Sequence, residues 1–188
     1  MKKKVGIFYG PTGGKTESVA QRVQEAFGSE MADLIAIKDS KATDLDKYDN
    51  IIFGCSTIGK ETWDANRPKP DWDVFRPEFE KINYEGKTFA LFGLGDHVTY
   101  ASMFIDAVGY IGKILLAKGA NIVGRVPTCE YEFTDSEAVI GNEFIGLPID
   151  EDYEPELTDR RINESVSYTH LRAHETVLDL VCRLLLEK

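Results

Sequence analysis

The chain has 188 residues, of which 22 are basic and 32 acidic, giving a formal net charge of -10. That length fits one domain able to bury about 70% of its unfolded surface, and the acidic balance opposes binding to nucleic acid or an anionic membrane while suiting a basic protein partner. Cys55, Cys129 and Cys182 lie far apart with no C-x-x-C pair, which argues against a zinc site and a disulfide framework and predicts a reducing, cytoplasmic setting.

After the basic start, an apolar run over 5–8 stops at Tyr9 and Gly10, too short for a signal core or a membrane span and of the right length for a buried strand. Gly10, Gly13 and Gly14 then break the chain, and Val19, Ala20, Val23, Ala26 and Phe27 recur as one stripe of a helix. A second strand is expected over 34–37, a brief helix or turn over 44–47, and a third strand over 48–54 running into Cys55-Ser56-Thr57-Ile58-Gly59. Residues 60–70 are polar and proline-rich and predict a loop. Trp72, Phe75, Phe79 and Ile82 predict a helix over 72–81, with Pro77 opening a new turn or kinking it. A fourth strand is expected over 88–92. Phe104, Val108, Ile111 and Leu115 then mark a helix closed by Gly119, followed by a fifth strand over 120–126. Residues 127–153 are acidic and aromatic, too long for a structureless loop, and predict a strand pair near Glu132 and 144–149. A final helix is expected from Glu156 to Val166.

Strands alternating with helices indicate a parallel sheet with right-handed crossovers and helices on both faces. In such a sheet the ligand sits beyond the C-terminal strand ends, here the loops 10–16, 55–63 and 93–100. The first of these leads into a helix N-terminus, where free N–H groups and the dipole favour a phosphate, and it adds Thr12, Lys15 and Thr16. A plain strand-to-helix turn is the competing reading. A triphosphate loop is disfavoured, because three rather than four residues separate Gly10 from Gly14 and Tyr9 stands where a glycine is needed. Gly93-Leu94-Gly95 does not complete a dinucleotide fingerprint, since position 98 is Val. A loop suited to the single phosphate of a mononucleotide such as FMN remains.

Four segments together resemble the long-chain flavodoxins: YGPTGGKTE over 9–17, IIFGCSTIG over 51–59, FGLGDHVTYASMF over 92–104, and the stretch YEFTDSEAVIGNEFIGLPIDED over 131–152. The resemblance covers about Lys4 to Asn163. It implies an α/β three-layer sandwich with a five-stranded parallel sheet of order 2-1-3-4-5 and helices on both faces. It also implies FMN held non-covalently by a domain over 1–165, with 127–153 as the long-chain insertion. Carried over to this sequence, Pro11, Thr12, Gly13, Gly14, Lys15 and Thr16 form the phosphate loop. Ser56, Thr57, Ile58 and Gly59 lie against one side of the flavin ring, with a peptide near Ile58-Gly59 facing N5. Gly93, Leu94, Gly95, Asp96 and Tyr100 form the other wall, with Tyr100 stacked on the ring or else packed on its own helix. The chain departs from the family pattern at Pro11 and Gly13, where hydroxyl residues are usual, and at Ile58, where a tryptophan is common. Either Ile58 covers the inner face or the 60–70 loop folds back and supplies Trp63.

The resemblance further implies a low-potential one-electron carrier that serves redox partner proteins, a reductase donor and an oxidoreductase acceptor with basic docking faces. It is expected to be a monomer without membrane attachment. The same fold also hosts flavin-dependent NAD(P)H:quinone and nitro-compound reductases, for which the 60–70 segment would line a pocket; the acidic insertion favours the carrier. His97 beside the site is read as a surface histidine or as a group tuning flavin protonation. Residues 166–188 look like translated adapter or vector read-through rather than a native end. His170 and His174 there stand at i and i+4 without an evident third ligand, so no metal site is expected.

Overall fold

A computed structural model describes residues 4–56 and 70–167. Strands β1 (Val5–Gly10), β2 (Ala32–Ala36), β3 (Asn50–Ser56), β4 (Thr88–Leu94) and β5 (Asn121–Val123) form a parallel sheet of order β2-β1-β3-β4-β5. Helices α1 (Lys15–Phe27), α2 (Ala42–Leu45), α3 (Asp71–Phe75) and α4 (Asp106–Ala117) connect them, and α5 spans 158–167.

The three-layer build follows from strand periodicity. Successive side chains point to opposite faces. Phe8, Ile51, Phe53, Cys55, Phe89 and Leu91 therefore pack on one side with α2, α3 and α4. Ile7, Tyr9, Ile52, Phe92 and Leu94 pack on the other with Val19, Ala20 and Val23 of α1 and Ile162 of α5. Phe53 centres the first face, its ring 5.1 Å from Trp72, 5.5 Å from Phe89 and 6.2 Å from Phe8. The expected helix over 72–81 is divided: α3 ends at Phe75 and a 3-10 helix, Arg76–Lys81, begins with Pro77 in its first turn. Trp72, Phe75, Phe79 and Ile82 are buried all the same.

The strand beside β4 differs from expectation. β5 pairs only with the first half of β4, from Thr88↔Asn121 to Ala90↔Val123. The chain then leaves at Gly124, whose φ is +75°, and builds a small antiparallel sheet from β6 (Val126–Pro127), β7 (Val139–Ile140) and β8 (Glu143–Phe144), ordered β6-β8-β7. It returns as β9 (Leu147–Ile149), parallel to the second half of β4. The fifth strand is thus two pieces separated by residues 124–146, so the strand expected over 120–126 stops at Val123. The pair expected near Glu132 and 144–149 does not form. Glu132 lies outside any strand, and the fully buried run 147–149 joins the main sheet instead.

Aromatic burial explains this arrangement. Phe144 lies 5.0 Å from Phe133, 5.4 Å from Tyr131 and 5.9 Å from Phe104, so the inserted segment is held by ring packing over the start of α4 rather than by a long ladder. Arg161 of α5 stacks 4.3 Å from the Tyr131 ring and pairs with Glu154 at 2.8 Å.

Candidate functional site

The parallel register brings the strand ends level. Gly10 is opposite Cys55, Cys55 opposite Gly93, and Gly93 opposite Pro148. Five C-terminal connections therefore gather at one edge, after β1, β2, β3, β4 and β9. Gly93 is required there by close approach, because a Cβ on it would overlap Val108 of α4.

The loop after β1 brings Pro11, Thr12, Gly13, Gly14, Lys15 and Thr16 together. Gly13 adopts φ +79°, a conformation glycine takes without penalty, and turns the chain into α1. Among the described residues no backbone carbonyl accepts from the N–H groups of Gly14, Lys15 or Thr16, as the first turn of a helix dictates. The two preceding N–H groups are engaged by carboxylates: Thr12 N–H donates to Asp71 at 3.0 Å and Gly13 N–H to Glu17 at 2.6 Å. Glu17 also accepts from the Tyr9 hydroxyl at 2.9 Å. The Gly13 N–H and the Tyr9 hydroxyl hold the Glu17 carboxyl below its ordinary range, while burial and Glu17 push the Tyr9 phenol up to about 12. Thr16 is buried and Thr12 half-buried. Lys38, just after β2, donates to Thr12 Oγ1 at 2.7 Å. The Lys15 ammonium points the other way, to Asp152 and, at 3.2 Å, to the Glu151 carbonyl.

Ser56 closes β3 opposite Leu94; Thr57, Ile58, Gly59 and Trp63 lie outside the described residues. Leu94 is buried on the α1 side, so at this edge it offers only its backbone. The connection after β4 is shaped by Asp96, whose carboxylate accepts from Val98 N–H at 2.9 Å and Thr99 N–H at 2.6 Å. Burial opposes the charge, yet the Thr99 and Val98 bonds keep the Asp96 carboxyl below its usual range. Tyr100 is 51% exposed, and Val98 and Met103 are exposed beside it. The loop closes at Ile105, a β-branched residue at φ 50° whose side chain is nonetheless buried against Gly93 and Gly95. That conformation costs about 1–2 kcal/mol and persists because the packing imposes it.

His97 is not a free surface residue. Asp150 Oδ2, fully buried, accepts from His97 N–H at 2.9 Å and lies 2.6 Å from His97 Nδ1. Its Oδ1 accepts from Asp152 N–H at 2.7 Å and Tyr153 N–H at 2.9 Å. Burial opposes ionisation of Asp150, but these four bonds outweigh it and depress its pKa. One carboxylate thus ties the post-β4 loop to the post-β9 turn.

Sequence reasoning overlooked Lys38, Asp71 and Asp150. Counting the loop after the second strand as a further C-terminal end would have reached Lys38. Nothing local marks Asp71 or Asp150. Among the described residues no helix is long and apolar enough to cross a membrane, and no group of His, Cys, Asp and Glu side chains is placed to hold a metal ion.

The Flavodoxin family model matches residues 7–164. A flavodoxin of a Nostoc species is 38% identical over 167 residues, covering 89% of this chain and 95% of its own. Flavodoxin 1 of Escherichia coli is 40% identical over 170 residues, covering 90% and 94%. The crystal structure of Fusobacterium nucleatum flavodoxin bound to flavin mononucleotide superimposes with a TM-score of 0.77 at 22% identity, over 90% of this chain and 98% of that one. With a family model that spans most of its length and relatives 38–40% identical over about nine-tenths of it, the chain belongs to the flavodoxin family.

Proposed function

We propose that the chain is an FMN-binding one-electron carrier that serves redox partner proteins and is not itself an enzyme. The observation that carries this reading is the cradle at the start of α1. Three N–H groups unpaired among the described residues, the Thr12 hydroxyl and the positive end of the helix dipole face one edge, within a family whose Fusobacterium nucleatum member binds FMN. The residues fit a phosphomonoester: the space over Gly13 and Gly14 is open, and Lys38 and Lys15 flank the loop.

In this reading Thr12, Gly14, Lys15 and Thr16 hold the phosphate through hydroxyls and N–H groups, while Pro11 and Gly13 shape the turn. Gly93, Leu94, Gly95 and Asp96 supply backbone along one side of the ring, and exposed Tyr100 covers its outer face. Ser56, Thr57, Ile58 and Gly59 line the other side, with Ile58 or Trp63 over the ring. When bound, the flavin supplies the electron chemistry and the protein sets its potentials. An acidic surface of net charge -10 disfavours added negative charge on the cofactor and draws partners with basic docking faces. We place the protein as a monomer in the cytoplasm, a setting that suits the free thiols Cys55 and Cys129.

The test is flavin content and spectroelectrochemistry of the purified full chain. Stoichiometric FMN with two separately resolved one-electron potentials is the expected result. A chain without flavin, or one whose flavin takes two electrons in a single step and turns over NAD(P)H with a quinone unaided, overturns the assignment.

A further inference from the structure

We propose that Lys38, a residue outside the glycine-rich loop, is the cation that serves the cofactor phosphate, and that it acts by fixing the Thr12 hydroxyl as a donor. This rests on the FMN-binding reading above. An ammonium has three donors and no acceptor, so in the 2.7 Å contact the Lys38 Nζ donates and Thr12 Oγ1 accepts. The hydroxyl keeps its own proton, which is left to donate to a phosphate oxygen. The backbone of the same residue is held from the opposite side, where Thr12 N–H donates to Asp71 at 3.0 Å. Thr12 is thus clamped at two points, 26 and 59 residues away in sequence.

The neighbouring groups leave this role to Lys38. Lys15, the cation inside the loop, is taken up by Asp152 and the Glu151 carbonyl. Glu17, the carboxylate facing Lys38, is engaged by Tyr9 and Gly13, and Asp71 by Thr12 N–H. Asp39 lies beside Lys38 in the same 3-10 turn, Ile37–Asp39. That turn is pressed onto the loop, because Ile37 and Asp71 close over Gly10, where a Cβ would meet their side chains at 2.8 and 2.9 Å. Lys38 is therefore a positioning residue that discriminates a phosphorylated flavin from an unphosphorylated one.

The experiment compares FMN and riboflavin affinities of the flavin-stripped full chain, as wild type, Lys38→Met, Lys38→Arg, Thr12→Val and the Lys38→Met/Thr12→Val double variant. Lys38→Met is expected to bind FMN roughly tenfold more weakly (~1.4 kcal/mol) with riboflavin affinity unchanged. Lys38→Arg should restore most of the loss, and the double variant should bind FMN little worse than Thr12→Val. Equal losses for both flavins, no loss for FMN, or strict additivity would each overturn the assignment. Wild-type chain that binds neither flavin would instead overturn the FMN reading itself, so the two failures are distinct. Lys38 is exposed, and an unchanged melting temperature of the stripped variant guards against a folding artefact.

Discussion

Asp150→Asn separates what the buried carboxylate does from what its bulk does. The wild-type group offers two oxygens to four donors: Oδ2 to the backbone N–H and ring nitrogen of His97, and Oδ1 to the N–H groups of Asp152 and Tyr153. An amide of the same shape has one oxygen. Whichever way it turns, its NH2 faces at least one backbone N–H, leaving a buried donor unpaired and replacing charge-assisted bonds with neutral ones. Hydrogen bonds to charged groups contribute roughly 1.5–3 kcal/mol each, and an orphaned donor costs about 1–3 kcal/mol. A net loss of about 3 kcal/mol is expected, or roughly 6–12 °C in Tm for a domain of this size. The sign of the pH dependence follows from the depressed pKa. The unfolded carboxyl titrates near ~3.9, so the stabilisation is fully present above that value and is lost as pH falls through the lower folded value. The gap between wild type and variant should be fully open above about pH 5 and begin to narrow below about pH 4. Urea unfolding across pH 3–8, with hydrogen exchange of the His97, Asp152 and Tyr153 amides, measures both quantities. A variant within about 0.5 kcal/mol of wild type at pH 7, or a gap that does not narrow at all as pH falls from about 5 to 3, refutes the reasoning.

Three further outcomes are expected. Gly109→Ala gains about 1 kcal/mol of helix propensity, yet the new Cβ would overlap the backbone of Glu137 and Ala138 where the inserted segment crosses α4. Net destabilisation by about 1–3 kcal/mol is expected in urea melts, and a stabilised variant would mean the insertion does not pack there. Phe144→Ala, at the centre of the Phe104, Tyr131 and Phe133 cluster, should cost about 3–5 kcal/mol and expose residues 124–146 to limited proteolysis; an unchanged cleavage pattern would show that the rings do not hold the segment. In a Cys182→Ser background, exposed Cys129 should react with a thiol reagent at pH 8 within minutes. Buried Cys55, its thiol pushed up to about 12 by desolvation, should react only on unfolding. Two fast thiols would contradict the burial of β3.

The sequence alone determined the elements whose signal is local. The stripe from Val19 to Phe27 and that from Val108 to Leu115 reappear as buried faces of α1 and α4, and the apolar runs of β1, β3 and β4 as strands buried on both sides. Family membership was legible in the same way, because the loop spacings that carry it are short. Tertiary structure decided what depends on register and crossover. The second half of the fifth strand comes from Leu147–Ile149 because β4 extends four residues past its pairing with β5, and that edge needs a partner. Lys38 meets Thr12 because β2 is parallel to β1 and ends level with it, with Tyr9 opposite Ala36. Asp71 reaches Thr12 and Asp150 reaches His97 across 59 and 53 residues, and Arg22 meets Asp159 across 137. Hydrophobic periodicity records which face of an element is buried, not which polar groups meet at its end, so these contacts had no local trace.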